Sequence, residues 1–277
     1  MSRGPNVTGD PLPVFVVDAF ARHAFEGNPA AVCVMNREAS TEWMQRVADE
    51  LNLSETVFVV PRSDGCALRW FTPTAEASLC GHATLAAAHV LWETGRADVG
   101  HRLSFHTRSG VLAARRLGGD IEIDLPARPV RPAAPTPGVA RALGLAATHA
   151  CQTLEQQACD RDLLIELEGE SAVRELVPDF TALRDYPGGI IATARSASGQ
   201  YDFVSRYFAP AWGIDEDPVT GSAHCALAPY WRDRLGRERL VGYQASVRGG
   251  VVLAEVRGER VRLAGGAVTV SRGSLVV

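Results

Sequence analysis

Short apolar runs rich in Val and Phe, 14-VFVVDAF-20 and 56-TVFVV-60, predict strands. Between them 40-STEWMQRVADELN-52 spaces its apolar residues at helical intervals behind Ser40 or Thr41, residue types that cap helix N-termini, and predicts an amphipathic helix; 169-GESAVRELVPDF-180 predicts another. Two alanine-rich apolar segments, 81-GHATLAAAHVLWETG-95 and 221-GSAHCALAPYWRDRLG-236, each follow a glycine turn and predict helices, the second with a kink or a gap in its hydrogen bonding at Pro229. Apolar residues alternate around glycine-containing turns in 108-RSGVLAARRLGGDIEIDL-125 and 248-RGGVVLAEVRGERVRLAG-265, which predict β-hairpins.

These predictions fall into two sets. The stretch 69-RWFTPT-74 recurs as 206-RYFAPA-211, an offset of 137, and the two glycine-helix segments and the two hairpins follow in the same order at an offset of 140. A strand, a glycine turn, a helix and a hairpin, repeated, describe two similar halves related by approximate twofold symmetry. The stretch 126-PARPVRPAAPTPG-138 holds five prolines and reads as an extended join. The class is α+β, with a first domain over 11–127, a proline-rich linker over 128–138 and a second domain over 139–277.

Composition narrows the function. In a chain of 277 residues, 46% hydrophobic and 22% charged with a net charge of -4, no long run of like charge argues for nucleic acid or an anionic membrane surface. The expected partner is a small molecule. No apolar run reaches the ~18 residues that cross a bilayer, and MSRGPNVTGDPLP lacks the apolar stretch of a secretory signal, so a cytoplasmic location is expected. Six cysteines (Cys33, Cys66, Cys80, Cys151, Cys159, Cys225) form no CxxC pair and are expected to be reduced. No HExxH, Walker loop or GxGxxG is present, and no metal or organic cofactor is expected. All 28 basic residues are arginine, which excludes a lysine Schiff base and leaves carboxylates, His, Cys or Ser to carry any chemistry.

Each glycine turn feeds a helix start, so free N–H groups and the positive end of a helix dipole are expected at Gly81-His82-Ala83 and Gly221-Ser222-Ala223, where they suit an anion such as a carboxylate. Asp217, just ahead of the second start, reads either as a capping acid or as a site residue. His82 is an acid, a donor to substrate or a helix-start residue, and Glu55, where a helix gives way to a strand, is a solvated acid or a general base. Cys80 and Cys225 lie beside the two turns; facing thiolates would suit a two-base racemase, although free cysteine is also a common core residue and Cys225 falls where it turns into helix packing. His89, His101 and His106 show no metal-site spacing and read as structural.

The motifs 18-DAFARHAFEGNPAAV-32, 52-NLSET-56, 69-RWFTPT-74, 79-LCGHATLA-86, 215-DEDPVTGSAHCALAPYW-231 and 266-GAVTV-270 together resemble the PhzF-like family, which is similar in fold to diaminopimelate epimerase. The resemblance implies two domains, each a curved, mostly antiparallel sheet wrapped around a central helix, with a ligand cleft between them. It implies Glu55 as general acid/base with His82 and Asp217 beside it, and Asn28, Gly81, Ala83, Gly221, Ser222 and Ala223 around the substrate. The activity it implies is a cofactor-independent isomerase that shifts a proton and a double bond in a small unsaturated or cyclic carboxylate of secondary metabolism, such as phenazine formation, in a homodimer. With 80-CGHA-83 and 218-PV-219, where the phenazine enzyme has Ala-Gly-His-Pro and Ala-Ala, and with Ser78 in place of an acid, this chain looks like the broader CGHAT branch. The alternatives are a racemase or epimerase using Cys80 and Cys225, and a non-catalytic ligand-binding protein on the same fold.

Overall fold

The computed structural model describes residues 11–276 apart from 134–135, 146–148 and 154–161. The chain is α+β and divides into two compact units, one of Met1–Leu125 with Ala264–Val277 and one of Pro126–Leu263.

The first unit contains β1 (Leu12–Ala19), β2 (Asn28–Val34), α1 (Thr41–Leu51), β3 (Glu55–Arg62), β4 (Gly65–Phe71) and the short β5 (Glu76–Ala77). There follow α2 (Gly81–Glu93), β6 (Leu103–Thr107), β7 (Gly110–Leu117) and β8 (Asp120–Pro126). The second unit continues with β9 (Val130–Pro132), α3 (Pro137–Ala142), β10 (His149–Thr153), β11 (Leu163–Glu166), α4 (Glu170–Arg174), α5 (Phe180–Leu183) and β12 (Ile190–Arg195). It closes with β13 (Phe203–Phe208), a 3-10 turn at Pro210–Trp212, α6 (Gly221–Leu235), β14 (Arg239–Gln244), β15 (Gly250–Arg257) and β16 (Arg260–Gly265). The last strand, β17 (Ala267–Leu275), returns to the first unit.

Strand pairing shows the repeat directly. In the first unit the order is β17-β1-β2-β3-β4-β6-β7-β8, antiparallel throughout except for the parallel pairs β2/β3 and β4/β6. In the second it is β9-β10-β11-β12-β13-β14-β15, again antiparallel except at the corresponding pairs β11/β12 and β13/β14, with β16 following β15 across a turn at Gly258 (φ +60°).

Each sheet wraps a helix that is buried over most of its length. In α2 eleven residues from Gly81 to Trp92 are buried, and four alanines keep the helix slim enough for β1, β2, β3, β7 and β17 all to reach it. In α6 the buried Ala226, Leu227, Tyr230 and Trp231 pack with Leu164, Ile191, Phe203 and Leu240 from four strands of the surrounding sheet. A second helical layer covers the outer face of each sheet. Met44, Val47 and Ala48 of α1 pack on Phe58, Val60 and Phe71, and Val139, Ala142 and Leu183 pack on Leu163, Ile165 and Phe208. Ser40 caps α1, its Oγ accepting from Trp43 N at 3.2 Å, and Asn52 ends it in the left-handed region.

Three segments depart from the sequence reading. The 169–180 helix is two short helices, because Pro178 supplies no N–H and forces the preceding residue out of helical geometry. The proline-rich join is not wholly irregular: Val130–Pro132 pairs with β10, and Pro132 is tolerated there because β9 has this one partner in its unit; Pro137 then opens α3. The segment from 264 onward belongs with the first unit, since β17 pairs with β1 from Leu12↔Leu275 to Ala19↔Ala267. At Pro229 the i−4 carbonyl, that of Cys225, loses its helical donor and accepts instead from Arg128 N at 2.9 Å.

Candidate active site

In the first unit three chain segments converge on the start of α2. Cys80 is its N-cap in extended conformation, and no side chain caps the turn, so the N–H groups of Gly81, His82 and Ala83 have no intrahelical acceptor. Residues from β2 and β3 face this turn because those strands are parallel neighbours, with Ala30 opposite Glu55. Gly27 makes the approach to β2 possible: its φ is +64°, and a Cβ there would stand 2.2 Å from Ala19 O.

His82 is 3% exposed, and burial alone holds its ring down to about 3, so the imidazole is neutral. Asn28 Nδ2 lies 3.2 Å from Nδ1, and Ser54 Oγ lies 2.9 Å from both Asn28 Oδ1 and Pro29 O. With Asn28 donating to Nδ1 the ring proton sits on Nε2, which faces Glu55 Oε2 at 3.5 Å and Ser54 Oγ at 3.5 Å. The Glu55 side chain keeps 12% of its surface exposed, so a carboxylate with a neutral N–H donor behind it borders solvent. Cys80 Sγ is 3.5 Å from Nδ1 and 4.0 Å from Nε2. The structure therefore brings together Asn28, Glu55, Gly81, His82 and Ala83 of the expected residues, and adds Ser54. Its signals in the sequence are adjacency to Glu55 and its place in the 52-NLSET-56 motif; the fold supplies the rest. With the ring held neutral by burial, its Nε2 offers an N–H to Glu55.

In the second unit Asp217 is 7% exposed and precedes α6, accepting from Thr220 Oγ1. Gln244, wholly buried on β14, ties this turn together: Oε1 accepts from Thr220 N at 2.8 Å, and Nε2 donates to Asp217 O at 2.7 Å. Ser246 Oγ donates to Pro218 O at 2.8 Å. Thr220 makes no capping bond with its own side chain, so the N–H groups of Gly221, Ser222 and Ala223 lack intrahelical acceptors as those at α2 do. Asp217 thus accepts from the N-cap side chain, and Gln244, from a strand some two dozen residues on, was not legible in sequence. Cys225 is 0% exposed within α6. A cavity of ≈ 240 Å³ lined by Met35, Met44, Phe58 and Leu68 under Arg62 and Arg108 lies elsewhere, on the sheet face opposite Glu55, since Phe58 is an odd number of residues along β3 from it.

A carboxylate backed by a neutral donor at an uncapped helix start, on a sheet wound around that helix, defines a protein of the PhzF-like isomerase and epimerase class. The chain belongs to the phenazine biosynthesis-like (PhzC-PhzF) family, whose model matches residues 17–273. It is 46% identical over 267 residues to an uncharacterized isomerase of Halalkalibacterium halodurans, covering 96% of this chain and 98% of that one. It is also 39% identical over 289 residues to the human phenazine biosynthesis-like domain-containing protein, covering 95% of this chain and 99% of that one. The crystal structure of a PhzF-family protein of Enterococcus faecalis superposes with a TM-score of 0.86 at 41% identity, over 95% of this chain and 98% of that one. A hydroxyproline epimerase of Agrobacterium vitis shares the fold, with a TM-score of 0.65 at 10% identity over 95% of this chain and 90% of that one.

Proposed function

We propose that the protein is a cofactor-independent isomerase in which Glu55, as carboxylate, takes a proton from an acidic carbon of a small unsaturated or cyclic carboxylate and returns it to another carbon of the conjugated system. The observation that carries this reading is the pair Glu55–His82: a carboxylate at the surface of the site, 3.5 Å from the N–H of a ring that burial keeps neutral. A neutral donor steadies the carboxylate without neutralising it, so Glu55 remains a base and, once protonated, an acid. The uncapped N–H groups at Gly81 to Ala83 suit the substrate's carboxylate or the charge that develops as the proton leaves. The N–H groups at the α6 start have the same character, and with the acceptor Asp217 and with Ser222 they are assigned to polar substituents of the substrate. We place the reaction in secondary metabolism, in a cytoplasmic homodimer. The names of bacterial relatives, uncharacterized isomerases at 46% and 47% identity, support the reaction class.

The test is proton NMR in D2O with trans-2,3-dihydro-3-hydroxyanthranilate and a panel of other small unsaturated carboxylates. Conversion with deuterium uptake is expected, and Glu55→Gln should slow it by about 10²–10⁴-fold while Cys225→Ala leaves it intact. Conversion that survives Glu55→Gln unchanged would overturn the assignment of the base. The two-cysteine mechanism is disfavoured because Cys225 is enclosed in the helix interior with no surface open to a substrate.

A further inference from the structure

We propose that Glu55, Cys80 and His82 form a binding site for a borderline-soft divalent cation of the Zn²⁺ kind, and that the cation competes with proton transfer for the same carboxylate. The competition rests on the reading of Glu55 given above; the binding does not. One carboxylate oxygen, one thiol sulfur and one imidazole nitrogen lie within 4.8 Å of one another, and no other such group of three is found among the described residues.

The three ligand atoms lie within reach of one ion, and one of the three edges already has the length found in an occupied site. Zn²⁺ holds nitrogen and oxygen ligands at roughly 2.0–2.2 Å and sulfur at about 2.3 Å, which in a tetrahedron puts neighbouring ligand atoms ~3.4–3.6 Å apart. His82 Nε2 is 3.5 Å from Glu55 Oε2, so that edge is in place; Cys80 Sγ is 4.0 Å from Nε2 and 3.5 Å from Nδ1, so the thiol has to swing to the Nε2 side of the ring to complete the set. Cys80 and His82 are held two residues apart on the first turn of α2, and Glu55 is fixed by the start of β3. Three protein ligands leave a fourth position for water or an anion, reached past the partly exposed Glu55. A thiolate, an imidazole and a carboxylate favour Zn²⁺ over Mg²⁺ or Ca²⁺. The balance of charge also suits burial: the thiol proton leaves to solvent as the metal–sulfur bond forms, and Zn²⁺ with one thiolate and one carboxylate is neutral.

Asn28 supplies the supporting contact. The single Ser54 hydroxyl proton reaches either Asn28 Oδ1 or Pro29 O, both at 2.9 Å. With that proton on Pro29 O, the Asn28 amide can turn over, donate to Ser54 Oγ and accept the ring proton from Nδ1. The Nε2 lone pair is then free for the metal, with the other ring nitrogen held by a buried partner.

The experiment titrates metal-free full-length protein with Co²⁺ as spectroscopic probe, then displaces it with Zn²⁺. One Co²⁺ per chain is expected, with tetrahedral d–d bands and a thiolate-to-cobalt charge-transfer band that is lost in Cys80→Ser and kept in Cys225→Ser. Glu55→Gln should weaken Zn²⁺ binding ~10-fold or more. Should Cys80→Ser fail to fold, protection of Cys80 from alkylation by stoichiometric Zn²⁺, mapped by mass spectrometry on the unaltered protein, decides the point. Absence of a saturable cobalt spectrum, a charge-transfer band that survives Cys80→Ser, or a Cys80 that alkylates equally fast with Zn²⁺ present would each overturn the site. These readouts need no substrate, so they stand if the isomerase reading fails. Where turnover is measured, Zn²⁺ should inhibit it and a chelator restore it; turnover unaffected by bound Zn²⁺ overturns the competition alone.

Discussion

His224 lies on α6 with its ring fully enclosed, Nδ1 donating to Thr220 O at 2.8 Å and Nε2 without a partner beside Phe203. Burial pushes this ring down to about 4, so the folded protein holds it neutral. The unfolded chain takes up a proton near pH 6.5 and the folded one only near 4, so this contribution to stability is complete above pH 6.5 and is lost as pH falls through that window. At pH 5 the loss is about 2 kcal/mol. His224→Leu should reduce the difference in urea-unfolding free energy between pH 7 and pH 5 by that amount, while His82, shifted in the same direction, keeps the remainder. The recurrence of Arg69 and Arg206 is visible in the sequence, but the ion pairs they make are not read from it, although their partners are close along the chain. Arg69 forks onto Glu76 with both bonds at 2.7 Å and lies 5.1 Å from the Phe71 ring; Arg206 forks onto Glu216 with both at 2.8 Å and lies 4.9 Å from Phe208. The Arg-aromatic-Phe repeat marks this pair of matched clusters. By contrast, Asn28 and His82 are 54 residues apart, and nothing local to either predicts their contact.

Among the elements, α6 tests how a helix carries an internal proline. Proline in a helix interior ordinarily costs about 3 kcal/mol relative to alanine, in part through the carbonyl it strands. Here that carbonyl, Cys225 O, already accepts from Arg128 N, so Pro229→Ala should raise stability by less than about 1 kcal/mol, measured by thermal or urea unfolding. A gain near the full helix-propensity value would show that the Arg128 contact adds nothing. Local pattern sufficed for α1, whose cap and apolar face lie inside one 13-residue window, and for the two glycine-fed central helices. It failed at 169–180, where a helical rhythm of apolar residues outweighed Pro178 in the reading but not in the chain. It failed again at Val130–Pro132, because edge pairing is decided by a partner, β10, that lies beyond any local window.

At the scale of the whole molecule, each unit closes the same strand order, but they recruit the outermost strand differently. The second unit takes β9 from the residues just ahead of it, whereas the first takes β17 from the far end of the sequence. The repeat in the sequence predicted two halves and could not show this exchange, since 264–277 has no counterpart motif earlier in the chain. Deleting 266–277 strips β1 of one of its two partners from Leu12 to Ala19 and uncovers a strand edge. The destabilisation of the first unit should be of the order of a domain's whole stability, about 5–15 kcal/mol. Hydrogen exchange checks this: β1 and β2 amides should lose protection while α6 amides keep theirs, and uniform protection in the truncated chain would overturn it.

The return of β17 also sets an order of events on the ribosome. Every strand of the second unit is synthesised before the first unit's last strand, β17, exists, so the half begun first is the half completed last. Until residues 264–277 emerge, β1 presents an open edge, and it is the nascent first unit that a chaperone would have to shield.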